Sequence, residues 1–121
     1  MATSNALDRT EKDMVHDGLQ DLLEEEAKGV HESFMAKNVE GVKEGYARVI
    51  AIMNSIEGTY RDDGDTVMAK LTSKKKQELV DELKRVEEEG VRAVDELRYS
   101  SIIRTFGEQK DPNEVVLGTF R

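Results

Sequence analysis

Along most of this chain apolar residues recur at steps of three and four, the spacing that lines one face of an α-helix. Leu7, Met14, Val15, Leu19, Leu22, Leu23, Ala27, Val30, Phe34 and Met35 outline a first helix. It is entered through a cap at Thr3, Ser4 or Asn5 and runs to about Lys37. Asn38 and Gly41 mark its end or a tight join to the next element. The cleanest pattern follows: Val39, Val42, Tyr46, Val49, Met53, Ile56 and Tyr60 form an alternating 3-4 heptad seam. Ile50 and Ile52 add apolar surface beside it, and Arg48 is the only charge between Tyr46 and Glu57. This second helix is therefore predicted to be central, contacted on more than one side.

Arg61-Asp62-Asp63-Gly64-Asp65-Thr66 reads as a turn. A third helix could begin at Thr66 or at Ser73, and the helix dipole decides between them. Lys74, Lys75 and Lys76 would oppose the positive N-terminus of a helix starting at Ser73, whereas Asp62, Asp63 and Asp65 suit one starting at Thr66. The expectation is one long helix from about Thr66 to Arg104, with a break near Thr72 and Ser73 as an option. Its seam is Met68, Leu71, Leu79, Leu83, Val86, Val94, Leu97 and Ile102, interrupted at Gly90, and Gly107 suits its C-terminal cap. Gly41 and Gly45 lie one turn apart. They could admit a neighbouring backbone closely, or merely weaken the helix by about 1 kcal/mol each.

The predicted architecture is all-α: an antiparallel three-helix bundle, coiled-coil-like, with long outer helices and an extended C-terminal tail. Residues 1–107 form a single helical domain and residues 108–121 a docking tail. At 1.5 Å per residue the helices would measure roughly 45, 33 and 58 Å. Such mismatched lengths suggest dimerisation, insertion into a larger assembly, or a bend near Gly18, Gly29 or Gly90. The tail changes character. The sole proline, Pro112, stands in an Asp-Pro-Asn-Glu turn, after which Val115, Val116, Leu117 and Phe120 make a short apolar run with strand propensity. Too short to fold alone, it either folds back on the helices or docks onto another chain by strand addition or in a groove.

Composition narrows the partners. Charged residues make up 36% of the 121-residue chain, against roughly 25% in ordinary domains, as slender, well-solvated helices require. With 18 Lys and Arg against 26 Asp and Glu, the formal net charge is −8. That charge disfavours phosphate backbones and anionic membrane surfaces, so neither direct nucleic-acid binding nor membrane association is expected. No apolar run is of spanning length, and no signal peptide is legible. A cytoplasmic or virion-associated location is the expectation. The absence of cysteine removes thiolate chemistry, disulfides and Cys-ligated zinc.

The acidic and histidine clusters are the places where the sequence offers candidate chemistry. Asp13, His16 and Asp17 share a helical face that could grip a divalent ion, but a solvated acidic face is the simpler reading. His31, flanked by Lys28 and Glu32, reads as exposed. Neither histidine has the Glu-x-x-His spacing of helical di-iron sites. Placing Gly64 at the sixth position of a calcium loop would put Thr59, Arg61 and Lys70 where oxygen ligands are needed, so Asp62, Asp63 and Asp65 are read as a turn. Ser33 and His31 stand two residues apart, on different helical faces. No phosphate-binding glycine loop or nucleophile elbow is present. No cofactor or metal is expected. Phe34, Tyr46, Tyr60, Tyr99 and Phe106 are assigned to the core or its edge.

These readings favour a non-catalytic structural or adaptor protein that assembles through its helical seams and its C-terminal arm, as a homo-oligomer or within a larger complex. A virus or phage particle is one setting that suits its size and tail. One alternative is an acidic inhibitor or decoy filling a basic cleft in imitation of nucleic acid. Its patches would be Glu24, Glu25 and Glu26; Asp62, Asp63 and Asp65; and Glu87, Glu88 and Glu89. A weaker alternative is a helical bundle binding a small ligand beside Gly41, Gly45 and Gly90.

Overall fold

A computed structural model describes the backbone of residues 2–108 and the side chains of residues 17–104 and 106. Among the described residues, α1 (Ala2–Met35), α2 (Val39–Asp62), α3 (Thr66–Glu89), α4 (Val91–Leu97) and α5 (Ile102–Glu108) follow one another with no strand. The chain is all-α, and its three long helices form an antiparallel bundle with α2 between α1 and α3.

The first two turns share one construction. At the end of α1, Lys37 N–H bonds to Phe34 O and Asn38 N–H to Ser33 O, the pair of bonds that closes a helix on a left-handed residue. Lys37 occupies that position at φ 57°. The next residue, Asn38, then caps α2 by accepting from Gly41 N–H at 3.1 Å. At the end of α2, Gly64 takes the left-handed place at φ 78°. Gly64 N–H bonds to Arg61 O and Asp65 N–H to Tyr60 O. Asp65 in turn caps α3, accepting from Met68 N–H at 3.1 Å. In each turn a helix stop runs directly into a helix start, which forces neighbouring helices antiparallel with short connections. Thr66 is thus the true start of α3, as the dipole argument predicts.

The helix expected from Thr66 to Arg104 is not continuous. It runs unbroken through Thr72 and Ser73, where the buried Thr72 hydroxyl donates to Met68 O at 2.7 Å. It stops instead at Gly90, which adopts φ 59° and ψ −127°. The chain doubles back there, bringing Glu96 to Arg85 and Ser101 to Glu82, and α5 packs along α1. Three consequences correct the sequence reading. The overhang expected of a long third helix vanishes, since α2 and α3 both have 24 residues and only α1, with 34, is longer. A turn at residues 98–101 rephases the face, so Ile103 rather than Ile102 is fully buried. Gly107 lies within α5 rather than capping a helix.

One core joins all five helices. Leu23, Ala27, Val30 and Phe34 from α1 meet Val42, Tyr46, Val49, Met53 and Ile56 from α2. Leu79 and Val86 from α3, Ala93, Val94 and Leu97 from α4, and Ile103 and Phe106 from α5 complete it. At the ends of the α2 seam, Val39 and Tyr60 are half-buried.

Candidate functional site

The most developed polar constellation lies at the junction of α2, α3 and α5. Tyr46, the third of the seven residues of the α2 seam, is fully buried, its ring edge-to-face with Phe34 at a centroid distance of 5.9 Å and an interplanar angle of 88°. A buried phenol needs a partner for its hydroxyl. Tyr46 donates to Glu82 Oε1 at 2.7 Å, and the Ser101 hydroxyl donates to the same oxygen at 2.7 Å. The two hydroxyls are themselves 2.7 Å apart. Two hydroxyl protons thus serve three short oxygen–oxygen edges around the carboxylate, and the contacts must share them in turn.

Glu82 and Ser101 also secure the start of α5. Ser101 Oγ accepts from Ile103 N–H at 3.1 Å, and Glu82 Oε2 accepts from Ile102 N–H at 3.4 Å. This satisfies amides that a helix N-terminus otherwise leaves without intrahelical partners. Burial first, and then the charge of Glu82, pushes the Tyr46 phenol far above its ordinary range. The group therefore stays protonated and remains a hydrogen-bond donor. The seryl hydroxyl, the carboxylate and the protonated phenol join three chain segments and pin the returning segment to α2.

Ion pairs tie the same helices at the surface. Arg48 Nε meets Glu26 Oε2 at 2.7 Å between α1 and α2. Between α2 and α3, Lys76 Nζ lies 2.7 Å from Asn54 Oδ1 and 3.3 Å from Glu57 Oε1. Between α3 and α4, Arg85 reaches both Glu89 and Glu96, and Arg92 meets the same two acids. Lys37 Nζ lies 3.5 Å from Asp95 Oδ1, linking the first turn to α4.

Two of these carboxyls set an acid limb to stability. Burial would by itself raise Glu57, but hydrogen bonds and charge from Arg61 and Lys76 outweigh it and hold the carboxyl below its ordinary value of 4.5. The hydrogen bond from Arg85 does the same for Glu96. A carboxyl depressed in the folded state binds its proton more readily when unfolded. Its stabilisation is thus complete above about pH 4.5 and is lost as pH falls through the folded value. Urea midpoints measured from about pH 7 down to about pH 3 should fall most steeply below pH 4.5. Glu57→Gln should lower the neutral midpoint slightly and flatten that decline; a wild type and variant that lose stability in parallel would show that Glu57 contributes nothing.

No family model, curated protein or solved structure matches the chain.

The remaining candidate residues divide by their surroundings. Of the acidic patches, Glu24 pairs with Lys28 at 3.1 Å, Glu26 with Arg48, and Glu89 with Arg85 and Arg92. Asp65 is a helix cap, whereas Glu25, Asp62, Asp63, Glu87 and Glu88 are exposed. Among the described residues, no three histidine or carboxylate side chains gather as a metal site, and no helix is long and apolar enough to cross a membrane. Tyr99, expected at the core edge, is instead 56% exposed. The break at Gly90 puts it in the turn after α4, with the Arg98 guanidinium 4.7 Å from its ring centroid. The tail residues Val115, Val116, Leu117 and Phe120 lie outside the described residues, as do the side chains of Asp13 and His16. Periodicity carried no signal for Glu82 or Ser101, because their role exists only once the chain has turned at Gly90.

Proposed function

We propose that this chain is a non-catalytic structural or adaptor protein that assembles with protein partners, its own copies included. The apolar run of Val115, Val116, Leu117 and Phe120 serves as its docking arm. What supports this reading is the contrast between its polar and apolar side chains. Among the described residues, the polar side chains that converge do so to fasten helices to one another. Leu22, Met35, Val67, Val91 and Tyr99, by contrast, remain between 46% and 66% exposed. Single exposed apolar residues are ordinary; together with an apolar tail too short to fold alone, they supply surface for a partner. The setting we propose is the cytoplasm or a virus particle.

The acidic-decoy alternative has less behind it, since Glu24, Glu26 and Glu89 are each paired with a cation of the same chain. The test is truncation after Lys110. The full chain should scatter light as an oligomer, or recover a defined protein partner from its native source, and the truncated chain should lose that association while staying folded. A full-length monomer whose truncation changes neither its stability nor any partner contact would overturn the proposal.

A further inference from the structure

The return of the chain at Gly90 differs in kind from the two turns that join α1 to α2 and α2 to α3. Those turns have a helix-closing pair of bonds followed by an Asn or Asp cap. The third has one residue, Gly90, and α4 begins with no side-chain cap. The last turn of α3 contains no basic residue and carries Glu87, Glu88 and Glu89. That is the wrong charge for the negative end of a helix, offset only in part by the positive end of short α4. In the interior of a helix the same residues fit. Glu88 and Arg92 stand four apart with the acid first, the favourable order, and Glu89 and Arg92 stand three apart.

The apolar pattern tells the same story. Leu79, Leu83, Val86, Gly90, Ala93 and Leu97 are spaced 4, 3, 4, 3 and 4, a single seam running straight through the turn. Leu79, Val86, Ala93 and Leu97 are buried and Leu83 is half-buried. A Cβ built on Gly90 meets nothing within 4 Å, so a larger residue has room there and only the positive φ of the closed turn opposes it. Beside the Glu89–Arg92 pair that flanks the hinge, side-chain contacts farther along hold the returning segment. Ser101 meets Tyr46 and Glu82, Glu96 meets Arg85, Asp95 meets Lys37, and Ile103 and Phe106 lie in the core.

We infer that α4 and α5 exchange between two copies of this chain, with Gly90 straightening to join α3 and α4 into one helix. Each copy then places its Ser101, Ile103 and Phe106 in the seat that the other has vacated. Every contact of the seat is remade in trans, so the exchange conserves the core and is driven by concentration. It takes Glu87, Glu88 and Glu89 off the negative end of a helix, and a hinge of one residue leaves the chain little slack, which favours such swapping. The swap is one route to the self-assembly proposed above, and it is tested independently of the tail.

The deciding variant is Gly90→Ala, because alanine favours helix and resists positive φ at this position. The dimer dissociation constant, read by light scattering across a dilution series, should fall by about tenfold or more relative to wild type, with two hinges per dimer. Inserting Gly-Ser-Gly-Ser after Gly90 should instead hold the chain monomeric. The chain has no cysteine of its own, so Arg85→Cys and Glu96→Cys can be joined by a short bismaleimide. In the Gly90→Ala dimer the link should run between chains and yield covalent dimers on a denaturing gel. Should Gly90→Ala fail to fold, the doubly cysteine-substituted chain with Gly90 intact, refolded at high concentration, gives the same reading. A Gly90→Ala chain that stays monomeric at all concentrations, or a dimer linked only within chains, overturns the inference. Either result leaves the docking-arm reading to its own truncation test.

Discussion

Replacing Tyr46 by alanine is expected to cost about 3–5 kcal/mol of folding stability, the range for deleting a large buried aromatic. That is a large share of the roughly 5–15 kcal/mol that holds a small domain folded. The loss has two parts, and Tyr46→Phe separates them. Phenylalanine keeps the edge-to-face contact with Phe34 and the packing between α1 and α3. It removes only the hydroxyl that donates to Glu82 and meets Ser101. The hydroxyl should account for about 1–3 kcal/mol, because its removal leaves one carboxylate oxygen with a single short donor in place of two. Ser101→Ala should cost a similar amount and be non-additive with Tyr46→Phe, since both disturb the same triangle of oxygens. Urea denaturation of these three variants and of the Tyr46→Phe, Ser101→Ala double variant measures the losses and their coupling. A Tyr46→Ala chain that loses less than about 1 kcal/mol would mean that this residue does not organise the core.

Gly45→Ala is expected to destabilise, although alanine is the better helix former by about 1 kcal/mol. A Cβ at Gly45 would stand 2.2 Å from Val30 Cγ2 and 3.3 Å from Val30 Cβ, with the Val30 Cα 3.7 Å away. Val30 is β-branched and in a helix has essentially one rotamer, so its methyl cannot swing clear. Relief requires α1 and α2 to part along their shared seam. Overpacking of this kind costs about 1–3 kcal/mol, and with so stiff a neighbour a net loss of about 2 kcal/mol is expected. Gly29 provides the control. It lies within α1 with nothing within 4 Å of its Cβ position, so Gly29→Ala should stabilise by about 0.5–1 kcal/mol. Opposite signs at two helical glycines separate close packing from propensity. Adding Val30→Ala to Gly45→Ala should recover part of the loss, with a coupling of about 1–2 kcal/mol. A Gly45→Ala chain as stable as the Gly29→Ala chain would refute the close approach.

Much of the fold is legible along the chain because the forces that set it are local. The 3-4 spacing from Val39 to Tyr60 requires a helix with one apolar face, and the scarcity of charge beyond that face places α2 centrally. The start of α3 at Thr66 follows from the dipole, which the acids before it favour and Lys74 to Lys76 would oppose at Ser73. Asn38 and Asp65 act on amides three residues ahead, so their caps are written in adjacent letters. The close approach at Gly45 is half-legible: glycine permits it, but Val30 as the neighbour is known only once α1 lies alongside.

The break at Gly90 is of another kind. A glycine inside a helix costs only about 1 kcal/mol, so periodicity alone bridges it, and the residues on either side continue one seam. Only burial of Ile103 and Phe106 against α1, with Ser101 fastened to Glu82 and Tyr46, makes the return more favourable than the straight helix. Those partners stand 19 and 55 residues from Ser101, beyond any local signal. The acidic runs follow the same division. Their letters look alike, yet Glu26 faces Arg48 and Glu25 faces water because of where α2 lies. By itself the sequence determined the three long helices, the starts of α2 and α3 and the buried face of α2, since each depends on residues within a turn or two. Tertiary structure decided where the third helix stops and which polar groups meet, because those depend on surface that exists only after distant segments have packed.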